Sequence, residues 1–261
     1  MAKAIRASAF KTITVGIASD AIEKISKVQP DCAIEELIWN AIDAEASRIE
    51  VIFYENALKG IDRIVVTDNG HGISEKDAEN IFGNIGGSPK RLRRRSPNLD
   101  RPYHGKEGQG RYKAFSLGRK VAWHTRNLTN GTIQSFSVVL DSSTLRSAQI
   151  GRPTSCDGGA GCDVDITDLK EGVSSLRNPA RLDSLVCRLA PYLIANPSIA
   201  ISYDGELLDV KNSLNRDETI PVEVSAKDTS KPLSFKLRVL EWTTNRVTVH
   251  AIPGINEDLV V

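Results

Sequence analysis

The sequence predicts an α+β fold in which helices are layered on one multi-stranded sheet, and three observations carry that expectation. Residues 34–44 read I-E-E-L-I-W-N-A-I-D-A, an amphipathic helix with Ile34, Leu37, Ile38 and Ala41 on one arc. Residues 48–54 and 63–67 are β-rich runs joined by N-A-L-K-G, the pattern of neighbouring strands. Further along, Asn130-Gly131 and Asp204-Gly205 each sit between β-rich runs, where hairpin turns need residues that tolerate positive φ.

The helix at 34–44 does more than pack. At about 100° per residue, Glu36, Asn40 and Asp43 fall in one stripe opposite the apolar arc. Taken alone, that stripe is equally the solvated acidic face of an ordinary helix.

The whole chain sets the outer limits. Its 261 residues, 40% hydrophobic and 26% charged, are enough for a substantial core and one domain or one and a half. Lysine plus arginine (34) nearly balances aspartate plus glutamate (33), so no global field selects nucleic acid or an anionic membrane. Cys32, Cys156, Cys162 and Cys187 are scattered, without C-x-x-C or histidines at zinc-site spacing, so reduced thiols and a cytoplasmic location are expected. No run of about 18 apolar residues occurs, and none follows Lys3 and Arg6, so neither export nor membrane insertion is expected.

In order, D-A-I-E at 20–23 has capping-box spacing and predicts a short helix to about residue 28, before Pro30 and Asp31 start the helix with the stripe. The strand at 63–67 runs into Asp68-Asn69-Gly70-His71-Gly72, where two glycines permit a tight backbone and close approach of a ligand; a plain Asp-Asn-Gly turn is the other reading. Ser74 and Asp77 then cap a helix to about residue 82. From 83 to 110 periodicity disappears, and a stretch of that length is read as a mobile lid. Its basic run, 90–95, is a solvated charge patch or a phosphate contact.

Residues 111–117 then read as helix, 120–125 and 132–140 as a hairpin, 151–161 as a loop, 162–167 as an alternating strand and 179–193 as an amphipathic helix. A last hairpin turns at Asp204-Gly205. Residues 212–217 look like a linker, and 221–249 like two or three strands opening a unit that the chain does not finish, as in a piece of a longer protein.

Four motifs stand in sequence: E-L-I-W-N-A-I-D-A from Glu36, D-N-G-H-G from Asp68, G-K-E-G-Q-G-R-Y-K-A-F from Gly105, and G-C-D-V-D-I-T from Gly161. In that order and spacing they resemble the motifs of the GHKL ATPases, the superfamily of gyrase, the large heat-shock chaperone, histidine kinases and MutL, with MORC proteins nearby. The resemblance covers about residues 15–210. The first motif with its following A-S-R-I-E-V, and N-P-A-R-L after the last, look more like MutL; the glycine segment looks more like the chaperone.

The resemblance implies a two-layer α/β sandwich: a mixed, mostly antiparallel sheet covered by helices on one face, the Bergerat-type ATP-binding fold. It implies an ATP-binding domain over 1–211, with the lid at about 83–110, and the start of a second α/β domain, a transducer, over 212–261. It further implies ATP and Mg²⁺ as ligands, with Glu36 as catalytic base and Asn40 as metal ligand. Asp68, Gly72, Asp43 and Cys162 would line the adenine site. Asn84, Lys90, Gly105, Lys106, Glu107, Gly108, Gln109 and Gly110 would hold phosphate and ribose.

Elementary chemistry supports these roles. Magnesium takes oxygen ligands and usually only one or two from protein, which suits a lone asparagine amide. A carboxylate one turn away can orient and deprotonate water. An aspartate that accepts from an exocyclic amine favours adenine over guanine, which presents a carbonyl there. The glycine segment has no G-K-[ST] and is not a Walker A loop.

Two departures from the family pattern stand out. Gly161-Cys162 replaces the usual Gly-Thr, and the basic insertion 91–101 fits neither MutL nor the chaperone. The expected function is an ATPase that gates N-terminal dimerisation of a larger clamp-like protein acting on DNA or in bacterial defence. A chaperone-type ATPase acting on proteins is the alternative. A histidine-kinase-like phosphotransferase is disfavoured by the carboxylate at Glu36 and the lack of a phosphoacceptor-histidine helix.

Overall fold

The computed structural model describes residues 10–14, 27–83, 95–96, 98–99, 101, 103–104, 110–144, 147–210, 214–224 and 233–242. The chain forms two compact units, Met1–Arg181 with Ser198–Leu207, and Leu182–Pro197 with Leu208–Val261.

In the first unit, β1 (Phe10–Thr14) precedes helix α1 (Pro30–Asp43), which is followed by strands β2 (Arg48–Glu55) and β3 (Ile61–Asp68) and helix α2 (Glu75–Gly83). The short helix α3 (Gly110–Lys113) continues through one 3₁₀ turn into β4 (Gly118–Thr129) and β5 (Thr132–Asp141). Then come β6 (Ser147–Gly151), β7 (Thr154–Ser155) and β8 (Gly161–Leu169). Helix α4 (Pro179–Ala195) crosses from the first unit into the second, and β9 (Ala200–Tyr203) with β10 (Glu206–Leu207) closes the first.

The described strands of this unit form one sheet in the order β1-β6-β5-β4-β8-β3-β2-β9-β10, with β7 paired to β5. Only the β2–β9 pair in that sheet is parallel, so the sheet is mixed and mostly antiparallel as expected.

Strand period explains the layering. Ile49, Val51 and Phe53 on β2 pair in register with Asp68, Val66 and Ile64 on β3, and Val66 and Ile64 pair with Val164 and Ile166 on β8. All are buried, and their sequence neighbours Glu50, Thr67 and Asp165 lie on the other face. The apolar arc of α1, Ile34, Leu37, Ile38, Ala41 and Ile42, is buried as well. Each fully buried Leu or Ile contributes about 1.5–3 kcal/mol of transfer free energy.

The turns follow the residue chemistry. Asn130 (φ 52°) and Gly131 (φ 78°) make the β4–β5 hairpin, and Asp204 (φ 50°) and Gly205 (φ 88°) the β9–β10 hairpin. Ser74 Oγ accepts the Asp77 N–H at 3.1 Å and caps α2.

The structure departs from expectation in three places, and one further expectation lies beyond what it describes. Strand β1 and its partner β6 were not anticipated: both are short and have no clean alternation, and their pairing is a long-range contact. The expected helix at 20–28 falls almost wholly outside the described residues. The loop 151–161 contains β7. Residues 214–217, read as linker, already belong to a strand.

In the second unit, β11 (Leu214–Val224) and β12 (Leu233–Trp242) pair as an antiparallel ribbon. The polar stretch is a strand because an exposed ribbon needs no apolar face; Arg238 grips Asp217 across it through Nε and Nη2, each at 2.6 Å. The part of α4 in this unit buries Leu185, Leu189, Ala190 and Leu193.

Candidate nucleotide site

Helix α1 begins on Pro30, whose missing N–H costs nothing at that position, and it carries the candidate chemistry on its outer stripe. Glu36 and Asn40, one turn apart, are half-buried. Glu36 Oε2 is 2.7 Å from Lys113 Nζ at the end of α3. Gly110, the first residue of α3, lies so close that a Cβ there would stand 1.8 Å from Glu36 Oε1, so no other residue fits without moving the carboxylate. The neighbouring Glu35 is turned away and accepts from Trp39 Nε1 at 3.3 Å.

Asp43 completes the stripe, but its surroundings differ from the open acidic face the periodicity drew. It is 3% exposed, and its Oδ1 accepts the His104 N–H at 3.0 Å. The His104 ring stacks on Trp39, centroids 3.9 Å apart and planes within 6°. Burial pushes the His104 imidazole below its ordinary value, against the opposing pull of the Asp43, Glu36 and Glu35 carboxylates.

Asp68 ends β3 and is 8% exposed. Its Oδ1 accepts the Gly70 N–H at 2.8 Å. Burial raises its pKa to about 6; the Gly70 bond opposes that rise, the Asp163 carboxylate adds to it, and His71 and Arg126 oppose it. Directly across the ladder from Asp68 is Cys162, whose thiol is pushed well above its usual range, first by burial and then by the Asp68 and Asp163 carboxylates. The thiol therefore stays neutral.

The D-N-G-H-G turn is stitched to the end of α1. The His71 N–H donates to Ala44 O at 2.8 Å, and a Cβ on Gly70 would lie 2.5 Å from that same carbonyl. Gly72 has φ +67°, and a Cβ there would meet the Arg126 carbonyl oxygen at 2.1 Å. The His71 bond and the close Gly70 approach tie the Asp68 turn to the end of the helix that carries Glu36 and Asn40, and Gly72 seats the same turn against β4.

Two residues of this corner were not singled out in the sequence. Asn69 Oδ1 accepts the N–H groups of Ser47 and Arg48 at 2.9 and 2.8 Å, and its Nδ2 donates to Ser47 Oγ. Thr125, fully buried and paired with Cys162, accepts the Ile73 N–H at 2.7 Å. The D-N-G pattern held a signal for Asn69; nothing local marked Thr125. A cavity of about 220 Å³ opens beside Asp68, between Arg48, Thr67, Asn69, Arg126 and Ala160; none of its lining residues comes from α1.

Asn84, Lys90, Gly105, Lys106, Glu107, Gly108 and Gln109 lie outside the described residues. The described part of the expected lid is tied down. Ser96 donates its N–H to Arg101 O at 2.8 Å and accepts the Arg101 N–H on Oγ at 3.0 Å, and Arg101 Nη1 reaches Ala46 O. This turn is held by Glu45, which sits at φ +65° just past α1.

The donors at the site fit a sparse magnesium position. Asn40 offers one amide oxygen on the stripe beside Glu36, and no group of three or more His, Cys, Asp or Glu side chains forms a metal cage among the described residues. Among those residues, no helix is long and apolar enough to cross a membrane.

Comparison with known proteins gives matches to one family. The family model described as "Histidine kinase-, DNA gyrase B-, and HSP90-like ATPase" matches residues 28–155. That match, just under half of the chain, supports a GHKL-superfamily ATPase module with similarity to MutL. It is 23% identical to the DNA mismatch repair protein MutL of Aquifex pyrophilus over 80% of this chain and 48% of that protein. With MutL of Lacticaseibacillus paracasei it shares 25% identity over 69% of this chain and 27% of the relative. A shorter match, to MutL of Exiguobacterium sp. (strain ATCC BAA-1283 / AT1b), reaches 44% over 54 residues, 21% of this chain and 8% of the relative. The chain thus spans about half or less of the length of these relatives.

Proposed function

We propose that the chain binds Mg·ATP against α1 and hydrolyses it, with Glu36 as general base, Asn40 as metal ligand and Asp68 as acceptor for the adenine amino group. The observation that carries this reading is the joining of three groups on one rigid frame. Glu36 and Asn40 share α1, Gly110 abuts Glu36, and the Asp68 turn is hydrogen-bonded to the helix end.

Glu36 takes a proton from the attacking water as its oxygen bonds to the γ-phosphorus and the bridging oxygen leaves with ADP. Asn40 would hold the ion, which would offset phosphate charge. Asp68, ionised above about pH 6, accepts from the adenine amine. Gly72, Cys162 and Asp43 complete the base end, and Asn84, Lys90 and 105–110 the phosphate end.

In the wider protein we propose that ATP binding gates N-terminal dimerisation of a clamp that acts on DNA or in bacterial defence, with 1–211 as the ATP-binding domain and 212–261 opening the next. MutL similarity over 80% of the chain supports DNA over a protein client. ATP turnover measured with and without double-stranded DNA tests this. Stimulation by DNA supports it; turnover stimulated only by unfolded protein clients would overturn it in favour of the chaperone-type reading.

A further inference from the structure

A general base works only if its oxygen is held within a fraction of an ångström of the water it deprotonates, and a glutamate has three rotatable bonds to immobilise. In this chain α3 supplies the means. Lys113 Nζ lies 2.7 Å from Glu36 Oε2, the length of a charge-assisted bond, and three residues earlier Gly110 leaves only backbone beside Oε1. The Glu36 side chain is 14% exposed and that of Lys113 34%, so this pair is more shielded from solvent than an ordinary surface ion pair.

We propose that Lys113 is the positioning residue for Glu36: it holds Oε2 and leaves Oε1 as the oxygen that accepts the proton. The inference rests on Glu36 being the base, and adds the group that orients it. The alternatives are a lysine that binds phosphate and one that masks the carboxylate until nucleotide arrives. Each gives a different kinetic signature.

The test uses the full chain, with ATP turnover and the affinity of a non-hydrolysable ATP analogue as readouts. Lys113→Met keeps the stem and removes the charge; kcat should fall ~10–100-fold while analogue affinity stays within ~3-fold, as expected when an interaction used only in the transition state is lost. Lys113→Arg should restore most of the turnover. Because the lysine acts through the base, the double variant Glu36→Gln/Lys113→Met should be no slower than Glu36→Gln alone, within about 2-fold.

Unchanged or faster turnover in Lys113→Met, analogue affinity falling in step with kcat, or multiplying losses in the double variant would each overturn the proposal. If Glu36→Gln slows turnover and Lys113→Met does not, the positioning role alone falls. If Glu36→Gln leaves turnover intact, the assignment of the base falls, and the positioning role with it.

Discussion

Glu45 Oε1 accepts the backbone N–H groups of Asn98 and Leu99 at 2.8 Å each, while Oε2 accepts Asn98 Nδ2 at 2.8 Å. A residue just past the end of α1 therefore anchors a turn more than fifty positions away. Burial acts against ionisation of Glu45, but the bonds from Ser96, Leu99 and Asn98 outweigh it and hold its pKa down at about 2, from an ordinary 4.5. Its positive φ is a strained conformation for a side chain with a Cβ, and the anchored turn is what it serves.

Glu45→Ala should accordingly free the 96–101 turn, with amide exchange there at least ~10-fold faster. Glu45→Gly loses the same bonds but relieves the backbone, so it should be more stable than the alanine variant by about 1 kcal/mol. Since folding depresses this carboxyl's pKa, its contribution is complete above about 4.5 and lost as pH falls toward about 2. Exchange followed down an acid series should show the turn intact at pH 5; release of the turn above pH 5 would contradict the assignment.

Asp68 behaves oppositely, because burial raises its pKa from 3.8 to about 6. Its ionisation costs folding free energy, fully above about pH 6 and vanishing as pH falls to about 3.8. Asp68→Asn should then be more stable than the parent at pH 8, by an amount on the order of 1–3 kcal/mol that shrinks below pH 6. The same substitution should weaken ATP at least ~10-fold by removing a charge-assisted acceptor. Denaturant unfolding and calorimetric titration read the two effects separately; equal ATP affinity would remove Asp68 from the adenine site. GTP should bind far more weakly than ATP to the parent.

Gly110→Ala places a methyl group 1.8 Å from Glu36 Oε1. The clash falls on the end of a flexible side chain, so the fold should survive with a stability change within about 1 kcal/mol. Turnover should nonetheless fall ~10-fold or more through the displaced base. Full turnover in this variant would place the working oxygen of the base elsewhere.

Glu36, Asn40 and Glu35 separate hydrolysis from binding. Glu36→Ala should cut turnover by ~10²–10⁴ and leave ATP affinity within a few-fold. Asn40→Ala should reduce Mg·ATP binding and turnover together. Glu35, bonded to Trp39 and turned from the site, is the control and should tolerate alanine. The reverse order for the two glutamates would mean that the catalytic face of α1 is misassigned.

Local sequence was enough for whatever depends on periodicity and turn chemistry. The stripe on α1, the β2–β3 pair, the hairpins at Asn130-Gly131 and Asp204-Gly205, and the Ser74 cap all follow from residue spacing or from residues that tolerate positive φ. The order of the four motifs was likewise sufficient to indicate the GHKL superfamily. What only the tertiary structure decided are contacts between side chains far apart in sequence. Asp43 lies buried against His104 because a segment 61 positions later packs over α1. Lys113 meets Glu36 because α3 folds back on the same helix, and Glu45 gains partners that no window of sequence contains. The Asp68 pKa likewise arises from burial and from the charges of Asp163 and Arg126 on neighbouring strands. A pattern of residues fixes which way a side chain faces on its own element, whereas its partners, its burial and therefore its ionisation depend on which distant segment comes to lie beside it.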